Sequence, residues 1–93
     1  MFQRILIRIR EKIRSRQYIV TEHARKEMNE DLLTIFDIKH AILTGEILER
    51  QRDQGTFEPK YRIRGKSLGT DWIETIVKMT PFGKVVIITI YTI

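Results

Sequence analysis

The chain has no cysteine, and only two histidines, two prolines and one tryptophan among its 93 residues. Without cysteine there is no disulfide, no thiolate metal site and no thiol nucleophile. The histidines, His23 and His40, stand 17 positions apart and do not form a zinc pattern. No P-loop or dinucleotide fingerprint is present, so the expectation is a protein without metal or other cofactor. No apolar run approaches the roughly 20 residues that cross a bilayer as a helix. Arg4, Arg8 and Arg10 interrupt what would be the apolar stretch of a signal peptide. A cytoplasmic protein with no membrane partner is therefore expected. Internal repeats, low-complexity tracts and linkers are also absent, which leaves one domain over residues 1–93.

What is present begins with charge. Lys plus Arg is 17 against 12 Asp plus Glu, a net +5, and the excess is unevenly spread. Residues 1–26 carry net +6, residues 27–58 net −5 and residues 59–93 net +4. Such a balance points to a polyanionic partner, nucleic acid before membrane. An apolar fraction of 42% is enough for a packed core.

The pattern along the chain reads as helices first, then strands. Phe2–Arg16 fits both an alternating strand and a helix with Phe2, Ile5, Leu6, Ile9 and Ile13 on one side, and its length favours the helix. Gln17–Val20 reads as extended. Thr21 is placed to cap a helix running from Glu22 to about Asn29, with Ala24 and Met28 on its buried side. Thr34, with Asp37 three residues on, opens a further helix that Gly45 is expected to close in a left-handed cap. Beyond it the period changes. Glu46–Arg52, Lys60–Lys66, Asp71–Thr80 and Val85–Tyr91 read as strands, separated by Asp53-Gln54-Gly55 and Pro81-Phe82-Gly83 turns. The last is apolar enough to be buried on both faces. The expected fold class is α+β, with two or three N-terminal helices packed on a four-stranded, largely antiparallel sheet.

Three features carry chemistry. His23 lies in the first turn of its helix, where free backbone N–H groups favour an anion, and Arg25 and Lys26 follow within a turn. Histidine titrates near neutrality and can move a proton; the plainer reading pairs it with Glu27 one turn on. Lys60, Arg62, Arg64 and Lys66 alternate with Tyr61, Ile63 and Gly65. They form a basic ladder that either tracks a phosphate backbone or coats an outer sheet face, and both readings keep it exposed. The first helix carries Arg4, Arg8, Lys12 and Arg14 on its polar side. Thr89 and Tyr91 share a face near the end of the last strand, where Tyr91 could offer a hydroxyl. His40 is read as structural.

The run Tyr18-Ile19-Val20-Thr21-Glu22-His23-Ala24-Arg25, then Met28, Ala41–Ile47 and a terminal Val85–Tyr91 with its Thr89-Ile90-Tyr91, resembles the small prokaryotic family known as domain of unknown function number forty-two fifty-eight. The resemblance covers about residues 10–92. That family looks distantly similar to the RelE and BrnT toxins of bacterial toxin–antitoxin pairs, small basic ribonucleases, some of them beside a zinc-finger antitoxin. Carried over, the resemblance marks His23 and Arg25, and after them Thr89 and Tyr91, as site positions. The basic ladder is not part of it.

Two function classes follow. One is a toxin-like, metal-independent endoribonuclease. In it His23 is base or acid, Arg25 holds the scissile phosphate, and Tyr91 is a second proton donor or stacking surface. Lys26, Lys60, Arg62, Arg64 and Lys66 bind RNA. The other is a non-catalytic module holding RNA or an acidic or zinc-finger antitoxin protein on the same surface. Only His23 and His40 titrate near neutrality, which counts against a two-histidine mechanism and leaves an Arg/Lys/Tyr site open. A third reading, a homodimer paired through Val85–Ile93, requires that strand to lie at a sheet edge, and its apolar character argues for the centre.

Overall fold

The first helix, α1 (Gln3–Arg14), buries Ile9 and Ile13 completely, with Phe2, Ile5 and Leu6 packed against the same core. The structure, a computed structural model, describes residues 1–93. Spacings of three and four place those residues on one side of a helix, which settles the ambiguity of this segment. β1 (Tyr18–Val20) follows, then α2 (Glu22–Glu30) and α3 (Ile35–Thr44). Thr21 caps α2 by accepting from the Ala24 N–H at 3.1 Å, while its hydroxyl donates to the Ile88 carbonyl at 3.1 Å. One side chain thus both starts the helix and ties it to the last strand. Thr34 and Asp37 form a full capping box at α3.

The strands are β2 (Glu46–Arg52), β3 (Pro59–Lys66), β4 (Trp72–Met79) and β5 (Val85–Thr92), in the sheet order β1-β5-β4-β3-β2. β2 to β5 form an antiparallel meander. The expectation of four strands is corrected to a five-stranded mixed sheet: β1 pairs in parallel with β5, Tyr18 opposite Val85 and Val20 opposite Ile87. Three residues are too few to show a strand period, so only the pairing reveals β1. β5 is therefore second from the edge, and β1 covers only its Val85–Ile87 half.

All three helices lie on one face of the sheet. Ile63, Ile73, Val77, Val85, Ile87 and Ile90 meet Ile9, Ile13, Ala24, Ile38, Ala41 and Ile42 in a single core. Ile76 is buried but stands outside that core, on the opposite face. Nothing covers that second face. The expectation that the last strand is buried on both sides is thus corrected: Val86 and Ile88 are only half-buried.

Two glycines let α3 approach the sheet. A Cβ on Gly45 would overlap the carbonyl oxygens of Arg64 and Ala41, and one on Gly65 the Ala41 backbone. Gly45 has φ −87°, so its expected left-handed cap is corrected too; close approach, not a positive φ, requires glycine there. Arg10 of α1 completes the helix end, donating to the carbonyls of Ile42 at 3.3 Å and Gly45 at 2.7 Å.

Candidate functional site

The alternation of β3 turns Tyr61, Ile63 and Gly65 to the core and Lys60, Arg62, Arg64 and Lys66 to the uncovered face. Strand register then aligns partners from neighbouring strands. Arg64 lies opposite Glu74 of β4, and Glu74 lies opposite Tyr91 of β5. One row over, Arg62, Ile76 and Thr89 align in the same way. Glu46 flanks Arg64 and Glu49 flanks Arg62 from β2.

Glu74 is the centre of this arrangement. Its carboxylate is 5% exposed and accepts from Arg64 Nε at 2.9 Å, Arg64 Nη2 at 2.7 Å and Arg62 Nη1 at 3.0 Å. The Tyr91 hydroxyl donates to its other oxygen. Arg62 also donates to Glu49 at 3.3 Å, and Glu49 accepts from Gln51 at 2.6 Å. Burial pushes the Glu74 carboxyl up, but the hydrogen bonds from Tyr91, Arg64 and Arg62 outweigh it and hold the group below the usual carboxylate range. The same carboxylate, bonded to the phenol, raises Tyr91 above the ordinary tyrosine value, and burial adds to this. Its hydrogen bond likewise raises Arg62. The result is an ionised glutamate, a protonated tyrosine and two guanidinium groups within one network, whose charge the Glu49 carboxylate on Arg62 brings to zero.

The expectation that the ladder stays exposed is corrected at Arg62. The Arg62 side chain is 25% exposed, and it can be so because Glu74 and Glu49 neutralise it. Lys60 stands opposite Lys78, which pairs with Glu58 at 3.2 Å. Lys66 places its ammonium 5.0 Å from the centre of the Trp72 ring.

His23 sits at the rim of this face. Its Nε2 is 3.4 Å from Glu27, and Glu27 accepts from the Ile90 N–H at 2.9 Å, one residue before Tyr91. The pairing with Glu27 that the spacing suggested is present. Arg25 and Lys26 are exposed and make no side-chain hydrogen bond or ion pair. At about 100° per residue, Arg25 is turned roughly 200° from His23 and points away from the Glu27–Ile90 contact. The structure therefore brings together Arg62, Arg64 and Tyr91, keeps Lys60 and Lys66 on the same face, sets His23 at its edge and turns Arg25 away from it, while Lys26, three residues from His23, shares the His23 side of α2 without a partner. His40 Nδ1 donates to the Lys66 carbonyl at 2.9 Å, a structural role. No three His, Cys, Asp or Glu side chains are grouped to hold a metal ion.

Glu74, Glu49 and Trp72 are the members that sequence reasoning missed. The signal for Glu74 was one acidic residue within the apolar run Trp72-Ile73-Glu74-Thr75-Ile76-Val77. A carboxylate inside such a strand needs cationic partners, and the alternating arginines of the preceding strand supply them.

No helix is long and apolar enough to cross a membrane. Comparison with curated proteins and with solved structures finds no match. Comparison with family models finds one, described as "Domain of unknown function (DUF4258)", over residues 20–92. The match runs from the end of β1 to the end of β5 and includes every member of the Glu74 network, while α1 lies outside it. By that match, the chain belongs to the DUF4258 family.

Proposed function

We propose that this protein is a toxin-like protein of a bacterial toxin–antitoxin pair, cytoplasmic, that binds RNA and cleaves it without a metal ion on the uncovered sheet face. The observation that carries this reading is the convergence of Arg62, Arg64 and Tyr91 on the Glu74 carboxylate. These are the three kinds of group that cleavage needs: cations for the phosphorane, an acid and a base.

In the resting protein Glu74 occupies the position an anion would take between the two guanidinium groups. A phosphodiester entering there competes with Glu74 for them. A Glu74 carboxylate that loses those donors while remaining buried becomes more basic. It then takes the proton of the ribose 2′-hydroxyl, whose oxygen bonds to phosphorus. The bond from phosphorus to the 5′-oxygen breaks, and Tyr91 gives its proton to that oxygen. The products are a 2′,3′-cyclic phosphate and a 5′-hydroxyl. Proton return from Glu74 to Tyr91 along their hydrogen bond restores the resting state. Lys60 and Lys66 contact flanking phosphates. His23 serves at the rim, and Arg25 and Lys26 contribute long-range attraction. An acidic or zinc-finger antitoxin would act by covering the same face.

The test is cleavage of a mixed panel of single-stranded RNAs by the purified chain and by Tyr91→Phe, Arg64→Ala and His23→Ala. Tyr91→Phe and Arg64→Ala are expected to lose on the order of 10²-fold or more, and His23→Ala to lose less than tenfold. Absence of cleavage by folded wild-type protein, or full activity in Tyr91→Phe, overturns the catalytic reading. A second reading, a non-catalytic RNA- or protein-binding module, draws on the fact that both arginines and the phenol are already engaged by Glu74. It expects binding that weakens steeply with salt and no turnover.

A further inference from the structure

Beside the Glu74 network, on the same face, lies a cavity of about 310 Å³ lined by Glu46, Arg64, Trp72 and Ile93. Its volume falls at the small end of about 300–1,000 Å³ for ligand sites, suited to one planar group and not to a length of chain. Each lining residue has capacity left over. The Trp72 side of the cavity is an aromatic surface 48% exposed, held in place by the Ile93 N–H donating to the Trp72 carbonyl at 3.0 Å. Arg64 gives Nε and Nη2 to Glu74, which leaves Nη1 without a partner. Glu46 lies opposite Arg64 in register, yet its exposed carboxylate makes no hydrogen bond or ion pair. Glu46 and Trp72 stand two strands apart and two residues out of register, a span of about 12 Å at the usual strand spacing and rise.

We propose that this cavity is a nucleobase subsite selective for guanine in single-stranded RNA, with the base stacked on Trp72 and its Watson–Crick edge on Glu46. The proposal rests on the RNA-binding reading above and gives it a specificity. The assignment follows from donor patterns. A carboxylate offers two acceptors side by side, and guanine is the base that presents two adjacent donors, N1–H and the N2 amino group, on one edge. Adenine and cytosine each set a ring acceptor beside their amino group, which would face the carboxylate. Uracil places a single N–H between two carbonyls. Stacking on an indole face is indifferent to the base and supplies affinity, while the Glu46 edge supplies discrimination. Arg64 Nη1 is free for the phosphate that follows the base, and the Lys66 ammonium, which lies over one face of the Trp72 ring, leaves the other face to the base.

Trp72 is the single tryptophan of the chain, so intrinsic fluorescence reports on this cavity alone. The experiment titrates the full chain with uridine hexamers in which one central position is G, inosine, A, C or U, reading both Trp72 quenching and anisotropy of an end-labelled hexamer. The G hexamer is expected to quench Trp72 and to bind about tenfold or more tighter than the all-U hexamer. Inosine, which lacks the N2 amino group, is expected to lose most of that gain. Glu46→Gln, an exposed change at a strand end, is expected to erase the preference while all-U binding is retained. Equal binding of all five hexamers, binding without quenching of Trp72, or a G preference that survives Glu46→Gln overturns the subsite and leaves RNA binding standing. If no hexamer binds in either readout, the RNA reading fails and the subsite with it.

Discussion

Replacing Glu74 by glutamine keeps the shape of the side chain and removes its charge. In the native protein the carboxylate, 5% exposed, accepts three hydrogen bonds from Arg62 and Arg64 and one from Tyr91. The three arginine bonds all go to one carboxylate oxygen, so a glutamine oxygen placed there keeps the contacts without the charge, and its NH2 group forces the Tyr91 hydroxyl to accept where it donated. Hydrogen bonds to charged groups are worth about 1.5–3 kcal/mol each, and breaking a wholly buried ion pair costs about 3–5 kcal/mol. The full figure does not apply, because the Arg62 and Arg64 side chains are 25% and 42% exposed and water can re-solvate them. A loss of about 2 kcal/mol at neutral pH is expected, roughly a 10 °C drop in Tm for a domain of this size.

The pH dependence tests the cause and not only the size. Glu74 ionises below the usual carboxylate range in the folded protein. Between the folded and unfolded values the unfolded chain binds more protons, so stability rises with pH there. The contribution of Glu74 is therefore fully present above the ordinary glutamate value and is lost as pH falls through the lower, folded one. Urea unfolding of wild type and Glu74→Gln from pH 7 down to pH 3 should show a gap that is constant down to the glutamate range and narrows below it. A gap under about 0.5 kcal/mol at pH 7, or one of equal size at pH 7 and pH 3, refutes the idea that charge at Glu74 organises this face.

Further outcomes follow from individual contacts. Thr75 is fully buried in the core and its hydroxyl has no partner; Thr75→Val should raise stability by about 1 kcal/mol, read as a higher urea midpoint. Gly65→Ala drives a methyl group into the Ala41 backbone and should cost about 2–3 kcal/mol or more, read by thermal unfolding. Tyr91 titrates above the ordinary tyrosine value in the folded protein, so its stabilisation is complete below pH of about 10 and is lost as pH rises through the folded value. Spectrophotometric titration of the phenolates should accordingly lose a step above the ordinary tyrosine value in Tyr91→Phe.

Local elements were legible in the sequence because their signals are local. The caps at Thr21 and Thr34, the bounds of β2 and the alternation of β3 all depend on residues within four positions of each other. The fifth strand was legible only as an extended segment: Tyr18–Val20 has no period to read, and its pairing with Val85–Ile87 on a distant segment is what makes it part of the sheet. The helix-closing glycine was located correctly for a different physical reason, since Gly45 answers to Arg64 nineteen residues later. The site divides in the same way. Arg62, Arg64 and Tyr91 were visible as residue types in a pattern. Their convergence depends on the β3–β4 and β4–β5 registers, which place Glu74 between them, and register is a property of pairs of strands.

Register also redistributes the charge. The acidic middle of the chain carries net −5 over residues 27–58. β2 lies beside β3, Glu49 takes Arg62, and Glu58 takes Lys78. With Glu74 on Arg62 and Arg64, much of the cationic strength of the uncovered face is spoken for inside the protein. Of the basic residues without an ion pair, Lys60 and Lys66 remain on that face, while Arg4, Arg8, Arg14 and Arg16 on or just after α1 and Arg25 and Lys26 on α2 stand off it. Long-range attraction for a polyanion therefore comes mainly from the helices, while the centre of the sheet face offers groups that an anion must win from Glu74. Substituting Arg4, Arg8 and Arg14 together should slow RNA association and flatten its salt dependence with no change in which base is preferred, because steering acts over a Debye length and selection acts at contact. If the same triple change instead abolishes selectivity, steering and selection share one surface, and the division of labour between helices and sheet is wrong.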